Sequence, residues 1–385
     1  MCANHRLLRY QQAIVSKRKT ESELISLRVG EPEFDTPSHI VEAACSALRS
    51  GFTRYGAVNG LIELMELIAH KIAVANDIAV HPHEIVVTSG VKMALFLACR
   101  AILEPGDEVI IPAPYFSSYV PLVLNAQPTA HIKLLPLLPP HFALNGSMLE
   151  EHIGPKTRMI ILNYPNNPTG SMLDSAEMSS ILEVINRCES YLVSDEVYGG
   201  IVLDRKPHIS FAHWPDYQQN VIVVNGFKEH AMAGWRIGYV HAPMHLIPRI
   251  VDANAHINSN TPTFVQKAAV AALTGPTDHV DCYIRELLKR KSAYDSCFRK
   301  ANACVGTSID GGFFGFVDIS STGLDSDTFC ARLIEEKGIV ANPGIVYGRD
   351  YDDWVRVSLC NSTPQVIHGL REMSALMTEL ALGQL

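Results

Sequence analysis

Between residues 84 and 227, short apolar runs alternate with longer amphipathic ones, and no other feature constrains the fold as tightly. EIVVTSG at 84–90 predicts a strand and a turn, and VKMALFLACRAIL behind it a helix. DEVIIPAP predicts a second strand and RMIILNYPNNPTG a third; SSILEVINRCES reads as a helix, and YLVSDEVY and NVIVVNGF as two more strands. Each strand is apolar at successive positions, hence on both faces, and helices separate them. A largely parallel sheet between two helical layers is predicted, which is an α/β domain. Ligands of such sheets collect beyond the carboxyl ends of the strands. The polar signals fall there: Ser89 and Gly90, Tyr115 and Phe116, Asn163 to Gly170, Asp195, and Lys228.

The last hundred residues change character. KRKSAYDSCFRKANACV reads as helix-rich and GGFFGFVDIS as β-like, followed by another helix and the strand WVRVSLC. This predicts a smaller α+β lobe joined by the N-terminal segment, with a large domain over 46–285 and a small one over 1–45 and 286–385. A chain of 385 residues exceeds what a single core usually serves. Its formal charge of −8 offers no basic stripe to nucleic acid and no attraction to anionic membranes, so a small-molecule partner is favoured. No apolar stretch has spanning length, and MCANHRLLRYQQAIVSKRKTESE lacks the pattern of a secretory signal, so a cytoplasmic protein is expected. Its nine cysteines are scattered without a CxxC, which predicts reduced, mostly buried thiols. His81, His83 and His141 lie in proline-broken loops without i, i+4 spacing, and no metal site is expected.

In NGFKEHAMAGWRIGY, at 225–239, Lys228 precedes Arg236 in a run that is otherwise mostly apolar and glycine-rich. Taken singly, Lys228 is a surface cation, Asp195 a strand-end carboxylate, and Asn167 an Asx turn before proline. Together they supply what pyridoxal 5′-phosphate requires: an amine, an acid partner for the ring nitrogen, a phosphate cradle and a stacking ring. Burial and neighbouring positive charge would lower the pKa of Lys228 and free its lone pair. Asp195 would keep the pyridine nitrogen protonated. Gly90, Val91 and Lys92 open a helix whose first amides form an anion site, and Arg236 adds a bidentate donor.

GEPEFDTP at 30–37, YGAVNG at 55–60, VVTSGVKMAL, EPGDEVIIPAPYFSSY, NYPNNPTG, SDEVY and MAGWRIGY stand in one order and spacing. In this set the sequence resembles the class I pyridoxal-phosphate aminotransferases of fold type I, in the bacterial-type aspartate and aromatic branch, from about residue 25 to the C-terminus. The resemblance implies a large domain with a mostly parallel seven-stranded sheet, plus a smaller α+β domain. It implies that Lys228 is the Schiff-base lysine, Asp195 the pyridinium partner, and Tyr198 and Asn167 the groups bonded to the cofactor's 3-hydroxyl oxygen. Phe116 falls where the family stacks an aromatic ring. Gly30, Asn167 and Arg356 fall at substrate positions, with Arg356 clamping the α-carboxylate. Tyr55 matches a tyrosine that reaches the neighbouring subunit's phosphate, which implies a homodimer with shared sites. The expected reaction moves an amino group from an amino acid to a 2-oxo acid. A lyase, a cyclase or another specialised biosynthetic enzyme on the same scaffold is the alternative. A non-catalytic relative would be expected to lose the lysine or the carboxylate clamp, and this chain keeps both.

The family's GFSK reads GFK here. Counting back from Arg236 keeps the family spacing, whereas counting forward from Asn225 leaves it one residue short. Loss of that serine hydroxyl is expected to weaken phosphate binding by roughly 1.5 to 3 kcal/mol, one hydrogen bond to a charged group. An intact mass equal to that of the 385-residue chain is expected; a mass heavier by one serine would restore the family motif. Arg28, two residues before Gly30, reads as a surface or ion-paired cation or as a partner for an acidic substrate side chain. His230 reads as a polar group behind the site, with proton handling as the other reading.

Overall fold

The computed structural model describes residues 8–19, 24–204, 207–300 and 303–383. Seven strands make the central sheet: β1 (Ile85–Thr88), β2 (Glu108–Ala113), β3 (His131–Pro136), β4 (Thr157–Asn163), β5 (Tyr191–Asp195), β6 (Val221–Gly226) and β7 (Gly238–His241). Their spatial order is β1-β7-β6-β5-β4-β2-β3. β7 runs antiparallel to β1 and β6, and the other neighbours pair in parallel. The five strands legible from their apolar runs are joined by two that are not. β3 is an edge strand, HIKLLP, in which only Leu135 is buried, and β7 is the four-residue GYVH.

The two-faced apolar pattern has the expected cause. Ile85, Val87, Ile110, Ile160, Leu192, Val223 and Tyr239 enter one core, while Val86, Val109, Ile111, Ile161, Val193, Ile222 and Val240 enter the other. The first core is completed by helices Ile62–Asn76, Ser175–Arg187 and Thr263–Thr274, the second by Val91–Ile102 and Ile247–Ile257. Each fully buried aliphatic side chain contributes about 1.5 to 3 kcal/mol relative to exposure.

A third core belongs to the C-terminal part. There Phe314–Asp318, Trp354–Ser358 and Asn342–Pro343 form an antiparallel sheet with Trp354–Ser358 in the middle, packed with helices Asp278–Phe298 and Thr363–Leu382. Ile25–Ser26 pairs in parallel with Ile339–Val340, which ties the N-terminal segment to this part. The boundaries expected at 45/46 and 285/286 fall inside helices Ser38–Arg49 and Asp278–Phe298, so the two lobes we propose share continuous helices rather than loops. Residues 299–300 and 303–305 correct the helical reading of KRKSAYDSCFRKANACV. The helix stops at Phe298, and Arg299–Lys300 pairs with Ala303–Cys304. Leaving the helix there lets Val305 O accept from Asp318 N at 2.7 Å and Gly306 bridge to Val317.

Cysteine burial is also corrected in part. Cys99, Cys330 and Cys360 are buried free thiols, but Cys188 and Cys282 are free and exposed, one at a helix C-cap and one on an outward helix face. No described helix is long and apolar enough to cross a membrane.

Candidate active site

The chain reversal after β6 explains why a lysine and an arginine in one short run serve one site. β6 ends at Gly226, and because β7 is antiparallel its first residue, Gly238, lies opposite both Gly226 and Thr88. Residues 227–237 therefore stay at the carboxyl ends of β1 and β6. Lys228 opens this connection and Arg236 closes it.

At the end of β1, Gly90 has φ +87° and caps helix Val91–Ile102. A β-carbon there would lie 2.6 Å from Arg236 Nη2, so glycine both permits the left-handed turn and admits the guanidinium against the helix N-terminus. The amides of Val91 and Lys92 have no acceptor within their own helix by position. Arg236, itself at φ +53°, is anchored by donation from Nη1 to Ala233 O at 3.0 Å.

Asp195, at the tip of β5, is buried, as is Asn163 beside it on β4. Asn163 Nδ2 donates to Asp195 O at 2.8 Å, which levels the two strand ends. The carboxylate accepts from the Tyr119 hydroxyl at 2.7 Å and from Val197 N–H at 3.2 Å. Burial pushes its pKa up to about 6, while these two donors and the charge of Lys228 pull it down. Lys228 is half-buried; its Nζ donates to Gly30 O at 2.6 Å and stands 5.7 Å from the Tyr198 ring centre and 5.8 Å from that of Phe313. Burial lowers its pKa, the Arg236 charge adds to that effect, and Cys360, Glu31 and Asp195 oppose it.

Gly90, Val91, Lys92, Phe116, Asn167, Asp195, Tyr198, Lys228 and Arg236 all line one cavity of about 140 Å³. A second hollow of about 500 Å³ shares Phe116, Asn167, Tyr198 and Lys228 and adds Arg28, Gly30, Phe314, Tyr347 and Arg356. Arg356 is buried between the Phe314 and Tyr347 rings, at 4.0 and 5.3 Å. Its Nη1 donates to Asn167 Oδ1 at 3.1 Å and its Nη2 to Arg28 O at 2.7 Å. The N-terminal segment reaches this point because Leu27 N donates to Val340 O and Ser358 N to Leu27 O, at 2.8 and 2.7 Å.

Two features call for an anionic ligand. Arg356 Nε is buried without a hydrogen-bond partner among the described residues, and the Arg236 guanidinium lies against Gly90, where helix Val91–Ile102 begins. The donor set therefore fits a phosphorylated pyridine with a carboxylate-bearing substrate beside it.

Other expected residues fall elsewhere. Tyr55 is 90% exposed and lines neither hollow. His230 lies behind the site, with Nδ1 3.0 Å from His279 Nε2, and burial lowers its pKa to about 4. Phe227, in the place next to Lys228, is buried and meets the Tyr239 ring edge-on at 6.4 Å, so no hydroxyl stands there. His81 caps the turn Pro82–Glu84 by accepting from His83 N–H. Tyr119 escaped the sequence reading, and Asn163 entered it only as a strand-end polar group with no partner named. Their signal was the last tyrosine of PYFSSY and the first asparagine of NYPNNPTG, polar groups beside strand ends that had to find buried partners.

The sheet order and this set of residues define a fold type I aminotransferase. The model of the family "Aminotransferase class I and II" matches residues 22–372. The aspartate aminotransferase of Pyrococcus horikoshii is 34% identical over 360 residues, 91% of this chain and 90% of that protein. A bifunctional aspartate aminotransferase and glutamate/aspartate-prephenate aminotransferase of Petunia hybrida is 35% identical over 342 residues, 85% of this chain and 71% of that one. Among solved structures, an aromatic aminotransferase from Pyrococcus horikoshii matches with a TM-score of 0.89 at 33% identity, over 95% of this chain and 99% of that one. Aspartate aminotransferase from Thermus thermophilus with maleate matches at 0.88 and 30% identity, over 96% of each. The chain belongs to the class I and II aminotransferase family, and its activity is amino group transfer.

Proposed function

We propose that this chain binds pyridoxal 5′-phosphate in the cavity between β1, β5 and β6 and transfers the amino group of an acidic amino acid to a 2-oxo acid. The observation that carries this reading is the convergence of Lys228, Asp195 and Arg236 on one cavity, with Arg356 in the hollow that opens from it. When bound, the cofactor supplies an electron sink for the carbanion formed at the substrate's Cα.

Each residue then has a part that its position supports. Lys228, with its lowered pKa, would hold the cofactor covalently and, once the substrate's amino group has displaced its amine, would move the proton at the substrate's Cα. Asp195 accepts from the ring N–H, Tyr198 and Asn167 face the 3-hydroxyl, and Phe116 covers the ring. The amides of Val91 and Lys92, with Arg236, take the phosphate, while Gly90, whose own N–H donates to Thr88 O at 2.8 Å, gives the turn that exposes them. Arg356 takes the α-carboxylate with Asn167, and Gly30 O steadies the Lys228 amine beside it. The exposure of Tyr55 supports a homodimer in which it completes the neighbour's phosphate site.

The acidic donor rests on the second hollow. Among the described residues lining it are Arg28, Lys228 and Arg356 and no carboxylate, so a substrate's second carboxylate would meet Arg28 unopposed. Arg28→Met is expected to lower kcat/KM for aspartate by about tenfold, one exposed charge-assisted hydrogen bond, while sparing an aromatic donor. Equal losses on both donors would remove Arg28 from this part.

Asp195 sets a pH dependence. Because its carboxyl titrates near pH 6, it is charged above that value and neutral below it. The affinity of the cofactor-free chain for pyridoxal phosphate is therefore expected to be fully present above about pH 7 and to fall as the pH drops through 6. A fluorescence titration at a series of pH values measures this.

The reaction is tested by giving the loaded protein aspartate without any acceptor. One 2-oxo acid per chain, with no ammonia, is expected. Continuous ammonia release would overturn amino transfer in favour of elimination.

A further inference from the structure

We propose that Tyr119 is the positioning residue of this site: its hydroxyl orients the Asp195 carboxylate, and its ring braces Phe116. The inference rests on the functional reading above and concerns how the pyridine ring is held.

The geometry is local. Phe116 ends the segment that follows β2, and Tyr119 begins helix Tyr119–Ala126. One turn therefore presents both rings to the cavity, and both line it. Their centroids are 5.5 Å apart with the planes 86° to each other, an edge-on contact that fixes the tilt of Phe116. The Tyr119 side chain is only 2% exposed, and its hydroxyl donates to Asp195 Oδ2 at 2.7 Å. Val197 N–H, at 3.2 Å, occupies the other oxygen, Oδ1. The carboxylate is therefore held from two sides, by its own strand end and by a residue from the helix after β2. Phe116 and Asp195 are the groups expected on the face and at the nitrogen of the ring, so one side chain ties two walls of its slot together.

The donation also acts on charge. A hydrogen bond to the ionised form favours it, and Asp195 is otherwise disfavoured as an anion by burial and by Glu196 next to it. Lys228 is the cation that assists, and Tyr198 is the other phenol near the carboxylate. Without the Tyr119 hydroxyl, the carboxyl would hold its proton to higher pH.

Two variants separate the two actions. Tyr119→Phe keeps the ring edge on Phe116 and removes only the hydroxyl; Tyr119→Leu removes both. The readout is the affinity of the cofactor-free chain for pyridoxal phosphate from pH 5 to 9, with folding followed by circular dichroism. The ionisations of the cofactor itself are common to all three proteins and cancel in the comparison. Tyr119→Phe is expected to move the midpoint of the affinity rise upward by about one pH unit, a loss of roughly fivefold at pH 6 that approaches tenfold at pH 5. At pH 9 its affinity is expected to approach that of the parent. Tyr119→Leu is expected to show the same displacement and a further loss at every pH. A parent-like midpoint in a folded Tyr119→Phe protein overturns the orienting hydroxyl, and a Leu variant indistinguishable from Phe overturns the brace. Should the parent itself bind no pyridoxal phosphate at any pH, the functional reading fails instead.

Discussion

Lys228→Ala is expected to bind pyridoxal phosphate and yet transfer no amino groups at a measurable rate. Turnover should fall by at least about 10,000-fold, the upper end of what a positioned general base contributes, because the same amine also forms the covalent link. Cofactor binding should survive the change. Arg236, the helix amides of Val91 and Lys92 and the Asp195 carboxylate lie on other parts of the cavity wall, and Lys228 donates to Gly30 O. Alanine leaves that carbonyl without its donor and opens space toward Tyr198 and Phe313, a modest cost in a half-buried place. Steady-state turnover and equilibrium cofactor binding, measured on one preparation, separate the two outcomes. Turnover within tenfold of the parent would mean that another amine does the chemistry.

Arg356→Leu is expected to give the second-largest loss, and of a different kind. Cofactor affinity should stay near the parent value, while kcat/KM for every amino acid falls by roughly 100- to 1,000-fold. That is the cost of losing a buried charged partner with two directed donors. The residue is set for this task. It lies between two aromatic rings, its Nη atoms are fixed by Asn167 Oδ1 and Arg28 O, and its buried Nε lacks a partner among the described residues. Arg356→Lys should restore only part of the loss, since a single ammonium cannot present a planar pair of donors. If the leucine variant changed turnover but not the dependence on substrate concentration, the α-carboxylate would have to bind elsewhere.

Much of the fold was legible because burial on two faces leaves a plain mark. Runs such as IVV at 85–87 and VIVV before Asn225 are apolar at every position, and only a sheet covered on both sides accepts that. β3 left no such mark, since an edge strand needs one buried residue and tolerates Lys133 and Pro136. β7 was hidden for another reason. GYVH is short and begins with a glycine, and only its pairing to β1 and β6 reveals a strand. Yet β7 is what brings Arg236 back to Lys228, so the meaning of their spacing depended on the element hardest to read.

The site divides in the same way. Lys228, Asp195 and Arg236 stand at strand ends within ordered motifs, and those motifs placed them. Tyr119 could not be placed so, because its role depends on a partner 76 residues away in sequence. Arg28 became informative only once the hollow around it proved to contain no acid among its described lining. Tyr55 lines neither hollow of its own chain, and the part proposed for it depends on a second copy.

Under the proposed function Lys228, and no other amine, holds the cofactor. Borohydride reduction of the pyridoxal-phosphate-loaded protein, followed by peptide mass mapping, tests it directly. The reduced cofactor's mass is expected on the peptide that contains Lys228 and on that peptide alone; a label on Lys92 or any other lysine, or no label at all, would contradict this role of Lys228.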